Sequence, residues 1–195
     1  MKIIFLDIDG VLNCQDAYKA GECRYVEWVN DRGEKDHHQA FCSWNKEWIN
    51  KLIDDSGASI VISSTWRSSG IEYMRKVWEI EGMHGNIIGV TPNFRGDVQG
   101  YTIPRGCEIE KWLKDKGFYH INWSREEQDK VIEASGIENY LIIDDDSDML
   151  YSQRNNFEHV LPSPRNTKGF TQDHYVRAMQ RLSWTVTEQN YGLLS

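Results

Sequence analysis

Two acidic residues one position apart follow a short apolar segment near the start of the chain. Residues 3–6 have the pattern of a buried strand, and Asp7 and Asp9 come directly after it, with Gly10 next. Side chains at positions i and i+2 of a strand point the same way, so the two carboxylates repel each other unless a cation lies between them. The pattern therefore predicts a cation site at the end of this strand.

Two further apolar segments, residues 60–62 and residues 140–143, also end in polar side chains. The first segment is followed by Ser63 and Ser64, and the second by Asp144 and Asp145. In open α/β sheets, ligands bind beyond the carboxyl ends of the strands, so these ends meet if the strands are neighbours. Oxygen ligands with this much negative charge suit a hard divalent cation, and Mg²⁺ is the expected ion.

Strand and helix patterns alternate between these polar positions. Strands are predicted over residues 2–6, 60–62, 86–90, 140–143 and 159–161, and helices over 44–55, 70–81, 107–116, from Ser124 to near Gly136, and from Thr171 onward. Strands of about five residues separated by helices of about a dozen indicate βαβ units and a mostly parallel sheet. The predicted architecture is an α/β three-layer, Rossmann-like sandwich.

Residues 14–43 fit this alternation least well, because they are polar, aromatic and rich in Gly, Asp and Glu. We interpret them as a small flap or cap inserted after the first strand of a single domain that spans residues 1–195. A zinc site is a possible use of the cysteines and histidines in this stretch, which are Cys14, Cys23, His37, His38 and Cys42. Their spacing matches no usual finger or ribbon, so surface or core side chains are the preferred interpretation.

The composition limits the class of protein. The chain has 195 residues, 39% of them hydrophobic, and a formal net charge of −8. This acidity argues against general electrostatic coating of nucleic acid, but it allows a local basic pocket for one phosphate. No apolar run has the length of a membrane span, and the first residues enter a strand rather than a signal peptide. The four cysteines form no CxxC pair, so we expect a cytoplasmic protein with reduced thiols.

Three segments resemble motifs of the haloacid dehalogenase (HAD) superfamily of phosphatases. FLDIDGVLN is similar to the first motif, IVISSTWR to the second and YLIIDDDSD to the fourth. Their order matches, and together they span residues 2–148. Within the superfamily, DIDGVLN with SSTWR most resembles the minimally capped group related to the polynucleotide phosphatase-like domains of RNA-repair proteins.

This resemblance implies a Mg²⁺-dependent phosphohydrolase that acts through an aspartyl-phosphate. Asp7 would be the nucleophile, and Asp9 would be the general acid and then the base for the hydrolytic water. Ser63 and backbone amides near Gly10 and Ser64 would bind phosphoryl oxygens. Mg²⁺ would be held by the carboxylate of Asp7, the backbone carbonyl of Asp9, and Asp144 or Asp145.

The third motif of the superfamily is a Lys or Arg near a helix start, which offsets charge on the phosphoryl group. Arg105, in IPRGCEIEKW, is the first choice for this role. Lys111, further along the same predicted helix, and Arg67, in SSTWR, are the alternatives. Several other side chains are candidates to line a substrate cleft: Tyr18, Tyr25, Trp28, Trp66 and Arg95.

Other activities fit the motifs less well. A dehalogenase does not need the acid/base group at Asp9, and a phosphonatase needs a Schiff-base lysine, whereas Lys19 and Lys35 of the insertion have polar neighbours. A receiver domain carries its acid pair at adjacent positions of the first strand. A non-catalytic Mg²⁺- and phosphate-binding module, a phosphotransferase, and a phosphatase of another small phosphomonoester or of a phosphoprotein remain open.

The short insertion favours an open site that would admit the end of a macromolecule. The resemblance to the domains of RNA-repair proteins implies that the substrate is a nucleotide or the phosphorylated end of a nucleic acid. Neither a stable protein partner nor a membrane is expected.

Overall fold

The structure, a computed structural model, describes residues 1–94, 103–119, 125–162 and 164–183. In chain order its elements are β1 (Lys2–Leu6), α1 (Gln15–Ala20), β2 (Tyr25–Val29), β3 (Lys35–Gln39), α2 (Ser43–Ser56), β4 (Ser59–Ile62), α3 (Ile71–Ile80), β5 (Ile87–Val90), α4 (Arg105–Asp115), α5 (Arg125–Ser135), β6 (Asn139–Asp144), β7 (Phe157–His159) and α6 (Gln172–Ser183). Short 3₁₀ turns occupy Thr65–Ser69 and Tyr151–Asn156.

Five of the strands form one sheet in the order β5-β4-β1-β6-β7, and every neighbouring pair in it is parallel. Parallel neighbours need crossover connections, which the helices between them provide. The predicted α/β, Rossmann-like fold is therefore confirmed.

The two faces of this sheet carry separate hydrophobic cores, because successive strand residues point to opposite sides. On β1, Ile4 and Leu6 pack in the core that α2, α3 and α6 cover. Ile3 and Phe5 pack in the other core, where Ile109 and other side chains of α4 lie. Each fully buried aliphatic or aromatic side chain stabilises the fold by about 1.5–3 kcal/mol. The helices thus form two layers with the sheet between them.

The register of the three central strands decides what meets at their carboxyl ends. Leu6 of β1 pairs with Ile62 of β4 on one side and with Ile143 of β6 on the other. The residues that follow these three positions therefore lie level at one edge of the sheet. They are Asp7, Ser63 and Asp144.

The insertion at residues 14–43 has more regular structure than its sequence indicated. It contains the short helix α1 and an antiparallel hairpin, in which Tyr25 pairs with Gln39 and Val29 with Lys35. The exposed positions of the hairpin outnumber its buried ones, so its strands carry little of the apolar alternation that would have revealed them.

Polar contacts, one of them buried, hold this hairpin against the main domain. His38 Nε2 lies 2.8 Å from Glu81 Oε1, and both side chains are almost fully buried. Lys46 of α2 donates to the other oxygen of Glu81 at 2.9 Å. Tyr73 of α3 donates its hydroxyl to the carbonyl of His37 at 2.8 Å. The hairpin is therefore held against α3 and its C-cap residue Glu81, and Lys46 connects that carboxylate to α2.

Several element boundaries differ from the predicted ones. The last strand of the sheet covers Phe157–His159, two residues before its predicted position, and α4 begins at Arg105 rather than at residue 107. Ser124, Arg95 and the predicted tail beyond Ser183 lie outside the described residues. No helix in the described part of the chain is long and apolar enough to cross a membrane.

Candidate active site

Three carboxylates meet at the carboxyl edge of the sheet. Oxygen atoms of Asp7, Asp144 and Asp145, one from each, lie within 4.8 Å of one another. Asp7 is 5% exposed and Asp144 is 1% exposed, whereas Asp145 is half-buried. Across residues 1–94, 103–119, 125–162 and 164–183, no other group of three acidic, His or Cys side chains comes together in this way.

Burial strongly opposes the ionisation of these acids. It is the largest cause that raises the pKa of Asp7, to about 7, and the pKa of Asp144, to about 8, and the nearness of Asp7 raises the latter further. Burial also raises the pKa of the Asp145 carboxyl. A bound divalent cation would favour the ionised forms and lower all three pKa values.

One oxygen of this cluster lacks a hydrogen-bond donor. Oδ2 of Asp144 is buried and receives no hydrogen bond from the described residues. Leaving a buried acceptor unsatisfied costs about 1–3 kcal/mol, and more for a charged group. Together with the all-oxygen ligand set, this orphaned atom fits a hard cation such as Mg²⁺.

Arg105, the first residue of α4, faces the carboxylates. Its Nη1 lies 3.9 Å from Oδ1 of Asp7, and its Nε lies 4.0 Å from Oδ2 of Asp144. Nη1 also donates to the backbone carbonyl of Ser63. The charge of this guanidinium lowers the pKa of both Asp7 and Asp144, partly opposing the effect of burial. Arg105 therefore lies where a cation can meet a phosphoryl group bound at Asp7.

The loop after β6 fixes the start of α4, and with it Arg105. Oδ2 of Asp148 accepts a hydrogen bond from the backbone N–H of Arg105 at 2.7 Å, and the Asp148 carbonyl accepts one from Gly106 at 3.3 Å. Such caps satisfy amides that a helix leaves unpaired at its first turn. A Cβ on Gly106 would lie 2.5 Å from the backbone nitrogen of Leu150, so only glycine allows this close approach.

The two serines after β4 have different surroundings. Ser63 is fully buried, and its hydroxyl has no hydrogen-bond partner among the described residues. The Ser64 side chain lowers the pKa of the nearby Asp7 carboxyl, because its hydroxyl favours the ionised form. Ser63 thus has an unused hydroxyl level with Asp7, and Ser64 stabilises the charged Asp7 carboxylate.

Gly10 shapes the turn after β1, while the binding of phosphoryl oxygens by backbone amides near it stays a prediction. Its N–H donates to the carbonyl of Asn13 at 2.7 Å and is already engaged. Gly10 has a φ of +80°, and a Cβ there would collide with the carboxylate of Asp145. The glycine therefore provides the turn and the space that let Asp145 approach the end of β1.

Asp9 lies outside the three-carboxylate cluster, and its side chain is exposed. Its Oδ2 accepts a hydrogen bond from the indole Nε1 of Trp66 at 2.9 Å. The two residues are 57 positions apart, so sequence reasoning placed Trp66 near a cleft but could not pair it with Asp9.

The structure does not bring the other two candidate cations to the carboxylates. Arg67 is 5% exposed; its Nη2 lies 2.5 Å from Oε2 of Glu108, and its Nη1 donates to the carbonyl of Ser64 at 2.7 Å. Lys111 lies nearly two turns into α4, has a half-exposed side chain and pairs with Asp115 at 2.5 Å. Arg67 is engaged in a buried ion pair and Lys111 in an exposed one, so neither side chain has the position expected for the third motif.

Comparison with protein families gives a match that covers most of the chain. The family model described as the HAD domain in Swiss Army Knife RNA repair proteins matches residues 3–175, a range that includes every site residue described above. No curated protein sequence matches the chain.

A solved Vibrio cholerae structure, provisionally named as 3-deoxy-D-manno-octulosonate 8-phosphate phosphatase, is 13% identical; the match covers 93% of this chain and 82% of that one, with a TM-score of 0.32. A similarity at that TM-score supports no argument about this chain.

Proposed function

The chain belongs to the family of HAD domains found in Swiss Army Knife RNA repair proteins, and on this premise we propose that it is a Mg²⁺-dependent phosphomonoesterase that acts through an aspartyl-phosphate. The observation that carries the proposal is the buried group of Asp7, Asp144 and Asp145, with the Arg105 guanidinium 3.9 Å from Asp7. An acidic cluster facing a cation can hold both a metal and a phosphoryl group.

In this proposal Asp7, Asp144 and Asp145 hold Mg²⁺ with the backbone carbonyl of Asp9. The ion supplies charge stabilisation to the phosphoryl oxygens. Arg105 adds a second positive charge, and the Ser63 hydroxyl donates a hydrogen bond to one phosphoryl oxygen. Because these groups are fixed by β1, β4, β6 and the start of α4, they need little rearrangement when the substrate binds.

The reaction then has two steps. A carboxylate oxygen of Asp7 forms a bond to phosphorus while the bond from phosphorus to the leaving oxygen breaks, and Asp9 gives its proton to that oxygen. Asp9 next accepts a proton from a water molecule, which attacks phosphorus and releases Asp7 and inorganic phosphate. The exposed position of Asp9 agrees with this role, because its carboxyl must reach both the leaving group and water.

We propose a nucleotide or the phosphorylated end of a nucleic acid as the substrate. Two observations support this choice: the family description refers to RNA repair, and the insertion at residues 14–43 is small. Because its hairpin is held against α3 by the contacts of His38 with Glu81 and of Tyr73 with His37, we also propose that the insertion is a fixed wall of the site. A fixed wall would leave room for a substrate much larger than a metabolite.

Phosphate release from a substrate panel tests the proposed activity. The panel contains an aryl phosphate, nucleoside 5′- and 3′-monophosphates and a 3′-phosphorylated oligonucleotide, each with Mg²⁺ and with EDTA. We expect release with Mg²⁺, fastest from a nucleotide or the oligonucleotide, and a loss of several orders of magnitude in Asp7→Asn.

Asp146→Asn is the matched control, because Asp146 is an exposed acid in the same loop, and its activity should stay close to that of the wild type. Absence of release from every substrate, by a folded protein that binds Mg²⁺, would contradict the proposal and favour a binding module.

A further inference from the structure

The Asp9 carboxylate, which the proposed reaction uses as its acid, is held by an aromatic side chain from a different strand end. Trp66 Nε1 donates to Oδ2 of Asp9 at 2.9 Å. Within the ranges that the structure describes, no other group donates a hydrogen bond to this carboxylate. The conformation of an exposed aspartate side chain thus depends here on one indole.

The indole itself has a fixed position. Trp66 lies in the 3₁₀ turn Thr65–Ser69 that follows β4, and its backbone N–H donates to the Ser64 hydroxyl at 3.4 Å. Its ring packs against Phe41, with the ring centroids 5.8 Å apart. Phe41 is buried and belongs to the main hydrophobic core. Trp66 is therefore attached both to the end of β4 and to the core.

The buried ion pair of Arg67 strengthens this attachment. Arg67 follows Trp66 directly, and its guanidinium bridges the carbonyl of Ser64 and the carboxylate of Glu108 in α4. The turn that carries Trp66 is therefore anchored to α4, the helix that carries Arg105. The positions of the acid and of the cation are thus linked through one turn.

An indole N–H can donate a hydrogen bond but cannot accept one. Oδ2 of Asp9 is therefore the accepting oxygen. Because a carbonyl oxygen accepts more strongly than a hydroxyl oxygen, this hydrogen bond favours the proton of the protonated carboxyl on Oδ1. From this geometry we infer that Trp66 is a positioning residue for the general acid: it directs Oδ1, with its proton, toward the leaving oxygen. The inference rests on the proposed function, because it assigns a residue to the same reaction.

In the first chemical step, two bonds to phosphorus change and one proton moves. The bond from Asp7 to phosphorus forms, the bond from phosphorus to the leaving oxygen breaks, and the proton on Oδ1 of Asp9 moves to that oxygen. Asp9 is left as a carboxylate, which still accepts the indole hydrogen bond at Oδ2. Protonation matters most for a poor leaving group such as an alkoxide and least for nitrophenolate, which is stable as an anion.

Leaving-group dependence tests this role in Trp66→Phe, which keeps an aromatic ring next to Phe41 and removes the N–H. We measure kcat/KM, which reports the steps up to loss of the leaving group, for an alkyl phosphate and for 4-nitrophenyl phosphate. General acid catalysis contributes about 10²–10⁴-fold, so misdirecting the acid should cost roughly 10–100-fold with the alkyl phosphate. The loss with 4-nitrophenyl phosphate should be several times smaller.

Trp44→Phe is the matched control. It also removes an indole hydrogen bond, which Trp44 Nε1 donates to the carbonyl of Lys168 at 3.2 Å, and it should show the same small change with both substrates. In the double variant Asp9→Asn/Trp66→Phe, the loss with the alkyl phosphate should equal that of Asp9→Asn alone, because the two residues act through one group.

If phosphate release by the wild type depends on Asp7, equal losses with both substrates in Trp66→Phe, or no loss with either, would overturn the inference. The proposed function would then remain intact. Absence of Asp7-dependent release from the wild type would overturn both.

If Trp66→Phe does not fold, an NMR measurement on Asp9→Ala tests the hydrogen bond between Trp66 and Asp9 instead. Asp9→Ala should move the indole N–H resonance of Trp66 upfield, because the carboxylate acceptor is lost, and should leave the resonance of Trp44 in place. An unchanged Trp66 resonance would contradict the hydrogen bond on which the inference depends.

Discussion

Single residues at this site are arranged so that one cation, Arg105, offsets several carboxylates. Burial raises the pKa of Asp7 to about 7 and that of Asp144 to about 8, and Arg105 opposes both effects. The structure thus distinguishes among the three candidate cations in a way that the sequence did not. Arg67 and Lys111 have their own acidic partners, Glu108 and Asp115.

The first prediction concerns Arg105. In the proposed reaction the Arg105 charge faces the phosphoryl group, so Arg105→Ala should cost about 10²–10³-fold in kcat, the usual effect of removing one electrostatic stabiliser. Lys111→Ala is the control from the same helix, and we expect less than about a twofold change there, because its ion pair is exposed. Steady-state kinetics on both variants measures these changes. A larger loss of kcat in Lys111→Ala than in Arg105→Ala would refute the assignment of Arg105.

The second prediction concerns the metal. Mg²⁺ at about 100 times its Kd should stabilise the folded protein by about 2.7 kcal/mol. For a chain of this size that is a rise in Tm of roughly 5–10 °C. The rise should disappear in Asp144→Asn and persist in Asp146→Asn, as measured by thermal melts with and without Mg²⁺. An equal rise in both variants would show that the ion binds elsewhere.

At the level of elements, the site depends on strand register and on one helix start. The pairing of Leu6 with both Ile62 and Ile143 places Asp7, Ser63 and Asp144 level with one another, and the loop after β6 caps α4 through Asp148. A shift of one residue in either strand would turn its polar end residue to the opposite face of the sheet. The hydrophobic pattern that builds the core therefore also builds the site.

The third prediction tests the helix start. In Gly106→Ala the new Cβ would lie 2.5 Å from the Leu150 nitrogen and 2.6 Å from Oε1 of Gln153. Overpacking of this kind costs about 1–3 kcal/mol, and moving the first turn of α4 also displaces Arg105. We expect a lower Tm together with a loss of kcat/KM.

Cys107→Ala is the control for Gly106→Ala, since it changes the next residue of the same turn without adding atoms. Its kcat/KM should stay near that of the wild type. A fully active Gly106→Ala would mean that the first turn of α4 does not control the position of Arg105.

Over the whole molecule, the hairpin of residues 14–43 is joined to the rest of the chain by the contact of His38 with Glu81, a carboxylate that Lys46 of α2 also contacts. Burial raises the pKa of Glu81, but the hydrogen bonds from His38 and Lys46 outweigh it and leave the net pKa below the usual value. A carboxyl whose folded pKa is depressed adds stability above its unfolded pKa and loses it as the pH falls through the folded one.

The fourth prediction follows from the lowered pKa of Glu81. Glu81→Gln should lower the free energy of unfolding by about 2 kcal/mol near neutral pH, because it removes charge-assisted hydrogen bonds. The difference from the wild type should shrink as the pH falls below about 4.5, the ordinary Glu value. Chemical denaturation at several pH values measures this difference. A difference that grew on acidification would contradict the assigned direction of the pKa shift.

The sequence predicted the parts of the molecule that are encoded locally. The apolar runs before Asp7, Ser63 and Asp144 indicated the central strands and the shared edge at which their ends meet, because buried parallel strands are continuous hydrophobic segments. The structure confirms that architecture.

Contacts between distant residues could not be predicted in this way. His38 and Glu81 are 43 positions apart, and Asp9 and Trp66 are 57 apart, so no local pattern joins them. The hairpin of the insertion was missed because its two strands are mostly exposed and lack a regular apolar alternation. The role of Gly10 depends on Asp145, a neighbour supplied by another strand end.

The central claim is that Asp7 becomes phosphorylated during turnover, and acid quenching tests it most directly. Protein mixed with a ³²P-labelled phosphomonoester and Mg²⁺ is quenched within the first turnover, digested and analysed by mass spectrometry. The account predicts a hydroxylamine-sensitive phosphoryl group on the peptide that contains Asp7, absent in Asp7→Asn and present in Asp146→Asn. Rapid turnover with no label on Asp7, or with the label on another residue, would contradict it.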